Sequence, residues 1–204
     1  MSRTSRSVPT LALAALLAGF ALTGCADSKA GAAAVVDGER IDISTLNSRV
    51  EKAADARESV GAAPVPGVTA SQEELVLLLQ TKVLDEAAER SGIVVTPTDI
   101  AEQKNEWLAQ NRGVPIEESL AEKGVPASGV DAFTRSQIII ERLIAKNGNA
   151  GADKIYTETA ESMEITVNPR YGKWDVAEGL VPVAYKWLTP DNIAGTAGTG
   201  AAGA

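Results

Sequence analysis

From Leu46 to Ala160 the apolar residues recur at helical spacing, and glycine interrupts the pattern at positions 92, 113, 124 and 148. A chain patterned this way folds as helices of one to six turns that stop and restart. Asp42 or Ser44 is placed to cap a first helix running to about Glu58, with Leu46 and Val50 four residues apart. Ser71-Gln72-Glu73-Glu74 has the form of a capping box. The helix it opens carries Leu75, Val76, Leu78, Leu79, Val83, Leu84, Ala87 and Ala88, a band wide enough for a central, largely buried helix. Residues 59–70, rich in Gly, Ala, Pro and Val, read as a loop before it. Arg90 suits the negative pole of the dipole, and Gly92 suits the stop.

Thr96-Pro97-Thr98-Asp99 restarts the chain, with Thr96 as cap and Pro97 at the first helical position. Ile100, Trp107 and Leu108 form the expected inward side, and Gly113 ends the helix. A short helix over 115–123 closes at Gly124. Ser128 is the expected cap of the next helix, which carries Val130, Phe133, Ile140 and Ile144 to about Lys146 and stops at Gly148. One more helix is expected around Ile155 to Ser162. The period then changes to the alternation of a half-buried strand at residues 164–168, which Pro169 ends or confines to an edge. Near the other end, Val35-Val36-Asp37-Gly38 reads as a strand running into a turn. The expected fold is mostly α, with a small two-stranded β element.

The first 25 residues obey a different logic. Arg3 and Arg6 precede an apolar run from Leu11 to Leu22, and small residues lead into Cys25, the only cysteine. Charged, apolar, then small is the order of an export signal. The run is short for a membrane span, which needs about 20 apolar residues. Leu22-Thr23-Gly24-Cys25 resembles the lipobox of bacterial lipoproteins. The resemblance implies a diacylglyceryl group on the Cys25 sulfur, cleavage just before it, and a body held on the outer face of the cell membrane. Two acyl chains anchor stably where one is marginal. The expected organisation is a signal peptide at 1–24, a tether at 25–33, a helical domain at 34–193 and a disordered Gly/Ala/Thr tail at 194–204.

Loss of residues 1–24, with Arg3 and Arg6, takes the formal charge from −8 to −10. An acidic body without a basic block argues against nucleic acid as a partner and against docking on anionic lipid by charge. The chain has no histidine, so no Ser-His-Asp triad, Cys-His pair or His-based zinc site can form. No Gly-x-Gly-x-x-Gly or Walker-type loop is present to cradle a nucleotide, and no calcium loop is present. Glu73-Glu74, Asp85-Glu86 and Glu117-Glu118 are helix neighbours about 100° apart, which suits solvated faces rather than catalytic dyads. No catalytic residue, cofactor or metal is expected.

Four stretches together resemble the N-terminal domain of SurA-type extracytoplasmic chaperones, related to the PrsA and trigger-factor foldases. They are Val35-Val36-Asp37-Gly38, the leucine-rich helix running into Ser91-Gly92-Ile93-Val94-Val95-Thr96, Pro97-Thr98-Asp99-Ile100, and Val167-Asn168-Pro169-Arg170-Tyr171-Gly172. The likeness covers about residues 35–174. It implies a first strand paired with a late strand, and helices between them that cradle unfolded or extended exported polypeptides without ATP. Family members also carry parvulin prolyl-isomerase domains that use paired histidines. Without histidine, and without room for an insertion before Asn168, isomerase activity is not expected here.

Trp107, Phe133, Tyr156 and Trp174 are the candidate client-contacting residues, with core packing as the competing role for the first three. Trp174 and Trp187 lie in a Pro- and Gly-containing stretch and suit surface contacts, or pinning of the C-terminal segment as Arg170 and Tyr171 also suit. The rival to a chaperone is an adaptor lipoprotein with one dedicated cell-envelope partner. A solute-binding lipoprotein fits the helical pattern poorly.

Overall fold

In a computed structural model of the chain, residues 31–183 are described. The lipobox with Cys25, residues 26–30 of the expected tether, Trp187 and the Gly/Ala/Thr tail lie outside them, while the end of that expected tether, Ala32 and Ala33, is buried in the first strand. The described part is mostly helical, with two small antiparallel sheets. Its helices are α1 (Ile43–Ser59), α2 (Gly67–Arg90), α3 (Pro97–Gln110), α4 (Ile116–Ala121) and α5 (Val130–Ser162). Among the described residues no helix is long and apolar enough to cross a membrane.

Strands β1 (Ala32–Val36), β2 (Glu39–Asp42) and β3 (Ile165–Val167) form one sheet in the order β2-β1-β3. Val35 pairs with Thr166, so the first strand does join a late strand. A third strand, β2, occupies the other edge. Asp37 and Gly38 both take positive φ, 48° and 81°, the turn that reverses a tight hairpin. The same turn grips the start of β3: Glu164 donates its amide to Asp37 Oδ1 at 2.7 Å, and Asp37 donates its amide to the Glu164 carbonyl at 3.0 Å. The run Ala32-Ala33-Ala34 is buried, which lets helices approach the middle strand closely.

The sheet packs on α1 and α2 through Ala33, Val36, Ile41, Leu46, Leu75, Leu79 and Tyr171. Further along α2, Leu84, Ala87 and Ala88 meet Ile139, Leu143 and Ala152 of α5. A third cluster joins Ile116 and Leu120 of α4 to Val125 and Val130, with Trp107 and Phe133 against it. As its wide apolar band requires, α2 is the central helix and serves two of the three clusters. Removing a fully buried Leu75 or Leu79 side chain costs about 2–5 kcal/mol.

Several starts and stops match the sequence signals. Thr96 and Asp99 form a reciprocal capping box with Pro97 in the first turn of α3. Gly92, Gly113 and Gly124 take positive φ where helices end. Gly148, at φ 71° and ψ 170°, breaks α5 into two segments. Other starts differ. Helix α2 begins at Gly67 rather than at Ser71, one turn into the expected loop. Ser71 lies inside it and donates its hydroxyl to the Gly67 carbonyl at 2.8 Å. Glu74 points away from the helix start because it is buried and accepts from Arg49 of α1 at 3.1 Å. Ser128 caps nothing: a 3-10 turn over Ala127–Gly129 leads directly into α5. Leu108 is 40 % exposed, since α3 is a peripheral helix with no fully buried residue.

After β3, Asn168 turns the chain. Its side-chain amide donates to the Ala32 carbonyl at 3.1 Å, and its Oδ1 accepts from the Arg170 amide. The turn delivers Tyr171 to the first cluster, where its carbonyl accepts from Gln72 Nε2 at 2.9 Å. A second hairpin comes next, β4 (Lys173–Asp175) and β5 (Gly179–Val181), with Trp174 opposite Leu180. Asp175 Oδ1 accepts from the amides of Ala177 and Glu178 and shapes its turn. Trp174 and Leu180 pack against the cluster that holds Leu75 and Leu79, which seats the hairpin on α2.

Candidate functional site

The hairpin, α2 and the two segments of α5 enclose a groove of about 410 Å³. Its volume is in the range of about 300–1,000 Å³ typical of ligand pockets. Val76 and Leu84 come from α2, and Ile140, Leu143 and Ile144 from α5 before the Gly148 break. Tyr156 and Asp153 come from α5 after it, and Trp174, Glu178 and Gly179 from the hairpin. The break at Gly148 sets the second segment at a new angle to the first, so that one helix contributes to two parts of the wall.

The surface chemistry of the groove is mixed in a particular way. Leu84 and Leu143 are buried, Val76 and Ile140 half-buried, and Ile144 is 37 % exposed at the edge. Tyr156 and Trp174 add two half-buried aromatic rings. Burial pushes the Tyr156 phenol pKa upward, so it stays a neutral hydroxyl at physiological pH. The Trp174 indole N–H is buried and has no hydrogen-bond partner among the described residues. Asp153 and Glu178 are exposed, and no Lys or Arg lines the groove.

A larger cleft, about 740 Å³, lies between the β1–β2 turn, α2 and the 91–95 link. It has a different character. Lys82 pairs with Glu39 at 2.8 Å and Arg135 pairs with Asp85, so two ion pairs lie across its walls beside the further acids Asp37, Glu86 and Glu89. Among the described residues no group of three or more acidic side chains is disposed to hold a metal ion.

The four candidate aromatics do not converge on one surface. Tyr156 and Trp174 share the groove, although each packs on a different cluster. Trp107 and Phe133 pack together on the third cluster, around α4. Phe133 also lines a small cavity of about 80 Å³ beside Arg49 and Glu74. Sequence reasoning missed Val76, Asp153, Val176 and Glu178 as neighbours of Tyr156. Asp153 and Tyr156 are three apart on one helix, which places them on one face. No local pattern signals that the 173–181 hairpin folds across α2. No protein-family model, curated protein or solved structure matches the chain.

Proposed function

We propose that this chain is a lipid-anchored extracytoplasmic protein that binds extended or partly folded exported polypeptides by apolar contact, without ATP and without covalent chemistry. The observation that carries the binding part is the open groove of Leu84, Ile140, Leu143, Tyr156 and Trp174. It offers apolar floor and aromatic wall to a side chain from outside. The anchor is supported by Arg3, Arg6, the apolar run and Leu22-Thr23-Gly24-Cys25. The SurA-like series of motifs supports the same reading, and the antiparallel pairing of β1 with β3 is consistent with it.

The test uses the chain from Ala26 onward, which retains every residue of the three clusters. It should slow aggregation of several unrelated unfolded proteins and bind apolar peptides in the absence of nucleotide. Tyr156→Ala should weaken both activities while leaving the fold intact. Failure to bind any peptide or unfolded chain refutes the binding function. Stable capture of one native envelope protein in its place favours a dedicated adaptor. For the anchor, Cys25→Ser should abolish metabolic labelling with a fatty acid and release the protein from membranes.

A further inference from the structure

The groove differs from the larger cleft in one respect: its acidic side chains face apolar and aromatic surface with no cation among its lining residues. In the larger cleft the acids Glu39 and Asp85 are already matched by Lys82 and Arg135. At the groove, Asp153 and Glu178 come from different elements, the second segment of α5 and the hairpin turn. Lys154, next in sequence to Asp153, turns to Glu158 at 3.7 Å instead. Neither Asp153 nor Glu178 pairs with a cation among the described residues.

We infer that the groove selects apolar peptide segments that carry an arginine or lysine. This deepens the polypeptide-binding reading and rests on it. Three physical terms favour such an occupant over a neutral one. Apolar side chains of the segment cover Leu84, Leu143 and Ile140 and leave water. A guanidinium or ammonium over the Tyr156 or Trp174 ring gains from the negative face of the aromatic system. The same cation meets the carboxylates of Asp153 and Glu178, which no groove-lining cation neutralises. A segment carrying a carboxylate meets repulsion from both. The formal charge, −8 for the full chain and −10 without residues 1–24, adds attraction at longer range and speeds encounter with cationic segments.

Exposed charge pairs are individually weak, so the selectivity is moderate and depends on salt. For one cation facing two carboxylates the expected preference over a neutral residue is about tenfold at low ionic strength, and it fades as salt is added. The salt-dependent part of the preference belongs to Asp153 and Glu178 together. The apolar contribution does not depend on them.

The experiment compares three short synthetic peptides of Leu, Phe and Ala that differ only in a central Arg, Gln or Glu. Binding to the chain from Ala26 onward is measured by fluorescence anisotropy. The expected order is Arg tighter than Gln, and Gln tighter than Glu. The double variant Asp153→Asn, Glu178→Gln should lose the salt-dependent part of the preference and leave the Arg peptide only the smaller advantage of the rings, with unchanged thermal unfolding, because both side chains are exposed and neither accepts a hydrogen bond from another described side chain. Charge reversal to Asp153→Lys, Glu178→Lys should invert the order. If the Arg and Gln peptides bind equally, or the double variant keeps the full salt-dependent preference, the charge selection is wrong while the groove remains a polypeptide site. If no peptide binds, both readings fail. Binding that appears only when the chain ends at Val183 puts the protein's own C-terminal residues in the groove and overturns the proposal. So does a concentration-dependent dimer that the peptides cannot dissociate.

Discussion

Gly124→Ala places a single methyl group where Arg57 already sits. A Cβ at this position would lie 2.5 Å from Arg57 Cζ and 2.7 Å from both terminal nitrogens. The glycine also holds φ at +83°, and that backbone costs an L-residue about 1–2 kcal/mol. Arg57 is only 9 % exposed, and its guanidinium is committed. Its Nη2 donates to the Lys123 carbonyl at 3.0 Å and to Glu73 Oε2 at 3.2 Å. Because the clash is with Cζ, the guanidinium as a whole must shift, and the bond to Lys123 lengthens or breaks. A charge-assisted hydrogen bond of this kind contributes about 1.5–3 kcal/mol. The half-exposed Glu73 adds little. The substitution should therefore cost about 3 kcal/mol, a large share of the total stability of an ordinary domain. Urea unfolding monitored by circular dichroism measures it. The double-mutant cycle with Arg57→Ala isolates the cause: in that background the methyl group should cost only the backbone term, about 1–2 kcal/mol. If Gly124→Ala costs the same with and without Arg57, the packing of the guanidinium against the α4 terminus is not what fixes this corner.

Three further outcomes are expected. Arg49→Ala should destabilise more at pH 7 than Glu74→Gln, since it leaves the buried Glu74 carboxylate without its hydrogen-bond partner. Burial raises the Glu74 pKa despite Arg49, so the native state holds that proton more tightly than the unfolded chain, and the Arg49→Ala penalty should shrink as pH falls through the raised value; a penalty that does not change with pH refutes this. Hydrogen bonds from Arg142 and from Thr96 hold the Asp99 carboxyl at about 2, below its ordinary range. Asp99 therefore stabilises the native state above about pH 4, and this is lost as pH falls through 2, so Asp99→Asn should converge with the parent in acid-unfolding curves only near that limit. Gly172→Ala puts a Cβ 2.7 Å from the Val181 carbonyl oxygen at φ +131°. It should speed amide hydrogen exchange across residues 173–181 and weaken peptide binding, while the amides of α2 keep their protection.

The helical frame was readable wherever the signal is local. Thr96, Pro97 and Asp99 carry their cap within four residues, and the glycines at 92, 113, 124 and 148 punctuate by backbone geometry alone. Ser71-x-x-Glu74 misleads for the opposite reason. The pattern is the same, but the partner of Glu74 is Arg49, 25 residues away. Burial of Glu74 against the half-buried Arg49 takes the place of the local cap. The late partner of β1 came from the family resemblance. The edge strand β2 instead depends on two consecutive positive-φ residues at Asp37-Gly38, which mark the turn but do not specify a strand beyond it. The groove was legible only in fragments: Tyr156 and Trp174 stood out as aromatics, whereas no sequence pattern singled out Asp153 or Glu178. Asp153 neighbours Tyr156 by helical spacing, but Glu178 and Trp174 join them only through the seating of the 173–181 hairpin on α2.

The middle strand of the main sheet has a consequence for how the chain is made. Strand β1 holds β2 on one edge and β3 on the other, and Ala34 faces Val167 from near the opposite end of the described residues. A chain emerging N-terminus first can close the β1–β2 hairpin at once, but one edge of β1 stays open until residue 167 has emerged too. Pairings of such sequence separation slow folding. Through that interval the growing chain exposes the kind of unpaired strand edge that recruits neighbouring chains. A protein arrested before α5 is finished is thus a candidate for aggregation at β1, although every helix made by then is already in place to fold.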